Sequence, residues 1–147
     1  MKYVELSRKE NFDSWNTMDL AELHQLQTCV DFSEYGIYQS KNVKIGLIIL
    51  ESYERTPFRL MKNSFKLISL SGGEAITRFS DGRISLMMFE KGECVSQNVV
   101  VPPMINDLQN IGDNLLVMAL IEYKNTLSQD SGLYPSLQME TPVLSGI

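Results

Sequence analysis

The stretch that decides the predicted fold runs from Phe58 to Gly73 and reads FRLMKNSFKLISLSGG. Its second half, from Phe65 to Leu70, has the apolar pattern of a strand and ends in a Ser-Gly-Gly turn. A second strand pattern, EAITRF at residues 74–79, follows at once. Two strand patterns joined by a glycine-containing connection are typical of a β-hairpin. The sequence therefore predicts that these two strands pair with each other.

Short apolar runs separated by turn residues continue on both sides of this stretch. The longest strand candidate, 43–53, is apolar on both faces at its centre, so we expect it deep in a sheet. Strands at intervals of roughly 8–12 residues with turns between them predict a mainly β protein, a single small antiparallel barrel or jelly roll. The other strand candidates are 3–6, 35–38, 84–89, 94–101 and 114–123, with turns at 54–57, 80–83 and 90–93.

One segment near the N-terminus has a helical pattern instead. Residues 17–28 place Leu20, Leu23 and Gln27 on one face, Thr17 is the expected N-cap, and Asp19 suits the first turn. The length of 147 residues indicates one domain. We expect that domain to span 1–147, with an N-terminal strand and helix at 1–30, a barrel core at about 43–123, and a C-terminal tail at 124–147.

Composition excludes several classes of partner. The net charge of −5 argues against nucleic-acid binding, which needs a cationic surface. The longest apolar run, 45–50, is far below the roughly 18 residues that span a bilayer, and residues 1–10 lack the apolar region of a signal peptide. We therefore expect a cytoplasmic protein without membrane contact. Cys29 and Cys94 lack a metal spacing and are expected to be two buried thiols.

Two blocks resemble the motifs of the cupin superfamily. The first, LSGGEAITRF at 70–79, resembles the end of the first cupin motif and the strand after it. The second, VVVPPMINDLQNIGD at 99–113, resembles the second motif, in the form seen in cupins of sugar-nucleotide and capsular-polysaccharide pathways. The resemblance covers about 43–123 and implies an RmlC-like jelly roll.

The resemblance also implies a metal site, and this sequence departs from it. In the family, two histidines and a glutamate of the first motif and one histidine of the second hold the metal, ligands that suit Zn, Mn, Fe or Ni. Phenyl and alkyl side chains do not coordinate these metals, so we expect a barrel without metal or other cofactor. The corresponding residues here are Phe65 for the glutamate, Arg59 and Met61 (or Phe58 and Leu60 with the spacing shifted by one) for the histidine pair, and Asn106 for the last histidine.

Three functions follow from this reading, and the first is a binding module. A barrel without metal keeps a concave interior in which a few polar side chains orient a ligand. The resemblance implies a small polar ligand, a sugar or sugar nucleotide, in polysaccharide biosynthesis. The candidate ligand-binding residues are Arg59, Lys66, Arg78, Asn106 and Tyr53.

The two alternatives are an enzyme and a structural subunit. Metal-independent sugar-nucleotide epimerases of this superfamily use a histidine base and a tyrosine acid, but the only histidine here is His24, in the helix outside the barrel. A carboxylate base at Glu51 or Glu54 beside Tyr53 is a weaker form of the same hypothesis. The third function is a structural or regulatory homodimer that pairs through the 43–53 strand and the tail.

Overall fold

The computed structural model describes residues 2–25, 35–98 and 104–124. Within these ranges the chain is mainly β, with one short helix, as predicted. The elements are β1 (Lys2–Ser7), α1 (Thr17–Gln25), β2 (Tyr35–Gln39), β3 (Val43–Leu50), β4 (Arg59–Met61), β5 (Ser64–Ser69), β6 (Gly73–Arg78), β7 (Ile84–Phe89), β8 (Cys94–Gln97), β9 (Met104–Asn106), β10 (Gln109–Asn110) and β11 (Leu116–Tyr123).

The strands form two antiparallel sheets and one short pair. The four-stranded sheet has the order β1-β7-β6-β10, the five-stranded sheet has the order β2-β3-β11-β5-β8, and β4 pairs with β9. The inward-facing residues of both sheets meet in one apolar core, to which Ile48, Leu67 and Met118 of the larger sheet and Ala75 and Met87 of the smaller one belong. This packing confirms the predicted antiparallel jelly roll.

The predicted hairpin between β5 and β6 is wrong, because the two strands lie in different sheets. Strand β5 pairs with β11 on one edge and with β8 on the other, so neither edge is left for β6. Beyond the strand, Leu70 donates its backbone N–H to Val117 O, which keeps the chain in the larger sheet up to the turn. Gly72, at φ +74°, then turns the chain across to the smaller sheet. The true hairpin of this region joins β6 to β7.

Helix α1 forms where the sequence predicts it, with a different N-cap. The side chain of Asn16, not Thr17, accepts the hydrogen bond from the N–H of Met18, at 2.7 Å. Asn16 therefore satisfies one of the helix's initial donors. Leu20 and Leu23 pack against a second apolar cluster around Trp15, Phe58 and Ile84, and this cluster fixes the helix on the barrel.

Three strands are shorter than predicted, and one of them, β8, ends at Gln97, before the described residue Asn98. Strand β3 ends at Leu50 because Glu54 forms a turn with Glu51, accepting its N–H on the side chain and donating its own N–H to Glu51 O. Strand β11 begins at Leu116 instead of residue 114. The predictions for helical residues 26–28, strand residues 99–101, Cys29 and the tail from 125 onward lie outside the described residues, while Cys94 is buried. No helix in the described ranges is long and apolar enough to cross a membrane.

Candidate functional site

A cavity of about 70 Å³ lies between the sheets, at the end of the barrel where β4 pairs with β9. Its apolar wall includes Met61, Phe65, Phe79 and Met104. Its polar groups include four carboxamide side chains and one hydroxyl, so the lining combines an apolar body with a few hydrogen-bonding groups, as ligand pockets do. These five residues are Asn63, Thr77, Gln97, Asn98 and Asn106, and the polar residues Tyr3 and Asp107 also line the cavity.

The β4–β9 pair positions the residues that correspond to the cupin metal ligands. Arg59 lies opposite Asn106 and Met61 lies opposite Met104 in this antiparallel register. Met61, Asn106 and Phe65 of β5 all line the cavity, so three of the corresponding positions converge on one site. Arg59 is buried in the same pair but does not line the cavity.

These residues do not fit a transition metal. A thioether, a phenyl ring and a carboxamide replace the imidazoles and carboxylate that such ions prefer. Within the described ranges, no group of three or more histidine, cysteine, aspartate or glutamate side chains could hold a metal ion. The described lining of this cavity therefore offers no set of ligands for a transition metal.

Asn106 is the most buried of the carboxamides that line the cavity, with 7 % of its surface exposed. Its Nδ2 donates to Thr77 Oγ1 at 3.4 Å, and Thr77 Oγ1 in turn donates to the backbone oxygen of Asp107 at 2.6 Å. Asn106 Oδ1 is buried and has no hydrogen-bond partner among the described residues. A buried acceptor without a partner costs free energy, which a ligand that donates a hydrogen bond would recover.

Asp107 lines the cavity and also belongs to a cluster of charged residues under helix α1. Its Oδ2 accepts hydrogen bonds from Arg55 Nε and Arg78 Nη1, both at 2.9 Å, and its Oδ1 accepts one from the N–H of Arg78. Arg55 also binds Glu22 of the helix, at 2.7 Å, and Arg78 Nε lies 3.4 Å from Asp19 Oδ2. Both arginines are therefore occupied by carboxylates of this chain.

The charged cluster shifts the pKa of three groups. Burial raises the pKa of Asp107, against the opposing effect of Arg78 and Arg55. The hydrogen bond from Arg55 lowers the pKa of Glu22, outweighing the partial burial of that carboxylate. Burial alone would lower the pKa of Arg55, but Glu22 and Asp107 together raise it. Arg55 therefore stays charged at any physiological pH.

Of the five ligand-binding candidates predicted from the sequence, Asn106 lines the cavity and the other four do not. Arg78 belongs to the charged cluster, and Lys66 is buried on β5 opposite Ser96. Tyr53 is 62 % exposed in the turn after β3, where its φ is +65°.

The residues considered for acid–base catalysis also lie away from the cavity. His24 is exposed on helix α1, and Glu51 and Glu54 are exposed in the turn after β3. None of the three lines the cavity. The acid–base pair suggested for Tyr53 with Glu51 or Glu54 therefore lies in an exposed turn outside the cavity.

Sequence reasoning missed Thr77 and Asp107. A signal for Thr77 existed, since it follows the core residue Ala75 at a spacing of two and so puts a hydroxyl on the inner face of β6. Asp107 gave no such signal, because its two arginine partners come 52 and 29 residues earlier in the chain.

Solved cupin structures resemble this chain in fold. A cupin domain from Bordetella pertussis aligns with a TM-score of 0.53 and 14% identity, over 63% of this chain and 96% of that one. An RmlC-like cupin with a double-stranded β-helix fold from Methanocaldococcus jannaschii aligns with a TM-score of 0.53 and 16% identity, over 72% of this chain and 98% of that one. The cupin domain of Schizosaccharomyces pombe Cnp3 aligns with a TM-score of 0.53 and 12% identity, over 65% and 66% of the two chains.

No protein-family model and no curated protein matches this sequence. At these identities the likeness establishes the fold and nothing finer. The chain has the fold of the cupin superfamily, as its two motif-like blocks predicted.

Proposed function

We propose that this protein binds a small polar molecule in the barrel cavity, without a metal. The observation that carries the proposal is the buried oxygen of Asn106, a residue that lines a cavity with a largely apolar wall; this oxygen has no partner among the described residues. A folded protein tolerates such an atom at a cost of roughly 1–3 kcal/mol, and a ligand that satisfies it would offset that cost. A sugar, which presents hydroxyl groups on a compact ring, is the class of ligand we favour.

Ligand-induced thermal stabilisation tests this proposal. A ligand that binds only the folded state at a hundred times its Kd stabilises that state by about 2.7 kcal/mol, which is a shift of several degrees in Tm. We expect at least one member of a panel of monosaccharides and sugar nucleotides to raise Tm, and to do so less for Asn106→Leu. Asn114→Leu changes an exposed carboxamide outside the cavity and is the control. A flat response across the whole panel would contradict the proposal.

A second candidate function is a structural homodimer, and the outer face of the larger sheet favours it. The residues of β3 and β11 that alternate with core residues are also apolar, although a solvent-facing surface is expected to alternate with polar residues. Each of these residues on β3 lies opposite one of those on β11 in the antiparallel register. These residues are Ile45, Leu47 and Ile49 on β3 and Val117, Ala119 and Ile121 on β11.

A second copy of this chain suits that face by chemistry and by size. A uniformly aliphatic patch is self-complementary about a two-fold axis. The five strands are four to eight residues long. At about 3.3 Å per residue and about 4.8 Å between strands, the face covers roughly 500 Å² per partner, which reaches the lower limit of about 1,000 Å² for a specific interface. Light scattering should report a dimer that Leu47→Glu dissociates and Val4→Glu, on exposed β1, does not. A monomeric wild-type protein at micromolar concentration would exclude this function.

A role in polysaccharide biosynthesis and a cytoplasmic location stay predictions. They rest on the form of the second motif-like block and on composition.

A further inference from the structure

We infer that the cavity takes an uncharged ligand that donates a hydrogen bond to Asn106, and that it rejects the phosphorylated form of the same ligand. This inference rests on the proposed binding function and narrows its ligand class. It distinguishes between the two ligand classes that the sequence left open, a free sugar and a sugar nucleotide, because the first is neutral and the second carries a diphosphate.

The first step is the charge of the cavity wall. Among the described residues that line it, Asp107 carries the only formal charge at neutral pH, and that charge is negative. The nearby cations Arg55 and Arg78 both bind the Asp107 carboxylate and also lie against Glu22 and Asp19.

A phosphate entering the cavity would lose its hydration without gaining a cationic partner among the described lining residues, since Arg59 and Lys66 do not line it. Burying an unpaired charge costs far more than burying a hydroxyl that finds a hydrogen bond.

The second step identifies which atom of Asn106 has its hydrogen-bonding capacity left for a ligand. Thr77 has a single hydroxyl proton, and it is used on the backbone oxygen of Asp107, which can only accept. Toward Asn106, therefore, Thr77 Oγ1 can only accept, so the amide atom beside it must be the donor Nδ2. The carboxamide orientation is set by this chain of hydrogen bonds, and the acceptor Oδ1 is the atom left for the ligand. The ligand must supply a hydroxyl or N–H donor.

The third step is size. An apolar cavity of about 150 Å³ holds one benzene molecule, so a cavity of about 70 Å³ holds only part of a ring or a compact substituent. The enclosed part of the ligand is therefore a small hydroxyl- or N–H-bearing group, and a phosphate carried on that part would have to enter the cavity with it.

Matched pairs of ligands test the inference on the full chain. Glucose, galactose, mannose and N-acetylglucosamine are each titrated beside their phosphates, with binding followed by amide chemical-shift changes in ¹H–¹⁵N spectra. We expect at least one neutral sugar to bind ten or more times tighter than its phosphate. A preference below tenfold, or binding of the phosphates alone, overturns the inference and leaves the proposed function standing. Binding of none of the eight overturns the inference, while the wider ligand panel still decides the proposed function.

Variants of Asn106 test the hydrogen bond separately from the charge. Asn106→Leu removes the acceptor and should lower the affinity for the neutral sugar at least tenfold. Asn114→Leu should leave that affinity within twofold of the wild-type value. Asn106→Asp keeps an acceptor but loses the donor to Thr77, so it should weaken binding of the neutral sugar less than Asn106→Leu does, and should weaken binding of the phosphate more than that of the neutral sugar. It also serves if the leucine variant does not fold. Equal affinities for the neutral sugar in wild type and Asn106→Leu would overturn the assignment of Asn106.

Discussion

Glu22 and Arg55 are joined by two hydrogen bonds, from Arg55 Nη1 to Oε1 at 2.7 Å and from Nη2 to Oε2 at 3.2 Å. Glu22 Oε2 also accepts the backbone N–H of Phe58, at 3.0 Å. One helical side chain thus contacts both the turn before β4 and the arginine that holds Asp107. Helix α1 is attached to the barrel by this contact and by the apolar cluster around Trp15.

Replacing Glu22 by glutamine should give a small loss of stability that depends on pH. The side chain is 37% exposed, so solvent screening limits the loss to about 0.5–1 kcal/mol at neutral pH. The pKa of Glu22 is lower in the folded state than its ordinary value of 4.5, so the wild-type advantage is present above that value and disappears as pH falls through the folded pKa. Urea unfolding at pH 7 and at steps down to pH 3 measures the difference.

Two features of this experiment isolate Glu22. The raised pKa of Asp107 favours folding on acidification, which is the opposite direction, but it is present in both proteins and largely cancels in the difference. Glu5→Gln, on exposed β1, is the control: it measures the change in unfolding free energy that comes from the loss of one acidic group alone. A wild-type advantage over Glu22→Gln that stays constant from pH 7 to pH 3 would refute the role assigned to this carboxylate.

Asp107→Asn should be the most damaging single change in the charged cluster. The carboxylate is fully buried and accepts from two arginines, which keep Glu22 and Asp19 as partners, so we expect the neutral amide to cost about 1–3 kcal/mol. Asp81→Asn is the matched control, because Asp81 binds Arg83 in a turn where both side chains are 28% exposed. We expect less than about 1 kcal/mol there. Similar urea midpoints for the two variants would show that Asp107 is dispensable.

Asn110→Ala should lower the free energy of unfolding by about 2–4 kcal/mol, because Asn110 holds the chain that leads into β11. The Asn110 side chain is 1 % exposed; its Nδ2 donates to Leu50 O and Asn114 O, and its Oδ1 accepts the N–H of Gly112. Truncation leaves these groups without a partner, at about 1–3 kcal/mol for each one that stays buried. Asn114→Ala, which removes an exposed side chain and keeps the backbone acceptor, should stay within about 0.5 kcal/mol. Equal unfolding free energies for the two variants would contradict this account.

The sequence predicts the strands better than their partners. Strand β7 occupies the predicted residues, Ile84–Phe89, because the Asp81–Gly82 turn and the apolar run are both local signals. The partner of β5 is not a local property. It depends on β11, some fifty residues later, which takes the edge that a hairpin with β6 would need. A local pattern therefore predicts a strand correctly and its pairing wrongly.

The same distinction applies to the candidate site. Asn106 could be found because it falls at one position of a recognisable motif. Arg59 also falls at a motif position, and Lys66 and Arg78 suit a polar ligand by their charge, but the structure places all three outside the cavity wall. Burial and ion pairing of a side chain depend on contacts made across the sheets, which no short stretch of sequence contains.

Three glycine-to-alanine variants separate backbone strain from steric overlap. Gly82 has φ +99°, and an added Cβ would lie 2.9 Å from Asn11 N, so alanine meets both penalties. Gly92 has φ +91° with open space around it, which leaves strain alone, and Gly36 has open space and no positive φ. We expect a loss of about 1–2 kcal/mol for Gly92→Ala, a larger one for Gly82→Ala, and almost none for Gly36→Ala.

The Gly82 variant should also change the surroundings of Trp15, because Trp15 Nε1 donates to Gly82 O at 3.0 Å. This is the only tryptophan of the chain, so its fluorescence reports this contact directly. A shifted emission maximum is expected in folded Gly82→Ala and an unchanged one in Gly92→Ala. Two results together would contradict this account: a loss of unfolding free energy in Gly82→Ala no larger than in Gly92→Ala, and an unchanged emission maximum. The close approach of the N-terminal segment to the β6–β7 turn would then not be rigid. The turn would then be able to shift away from Asn11 and relieve the overlap.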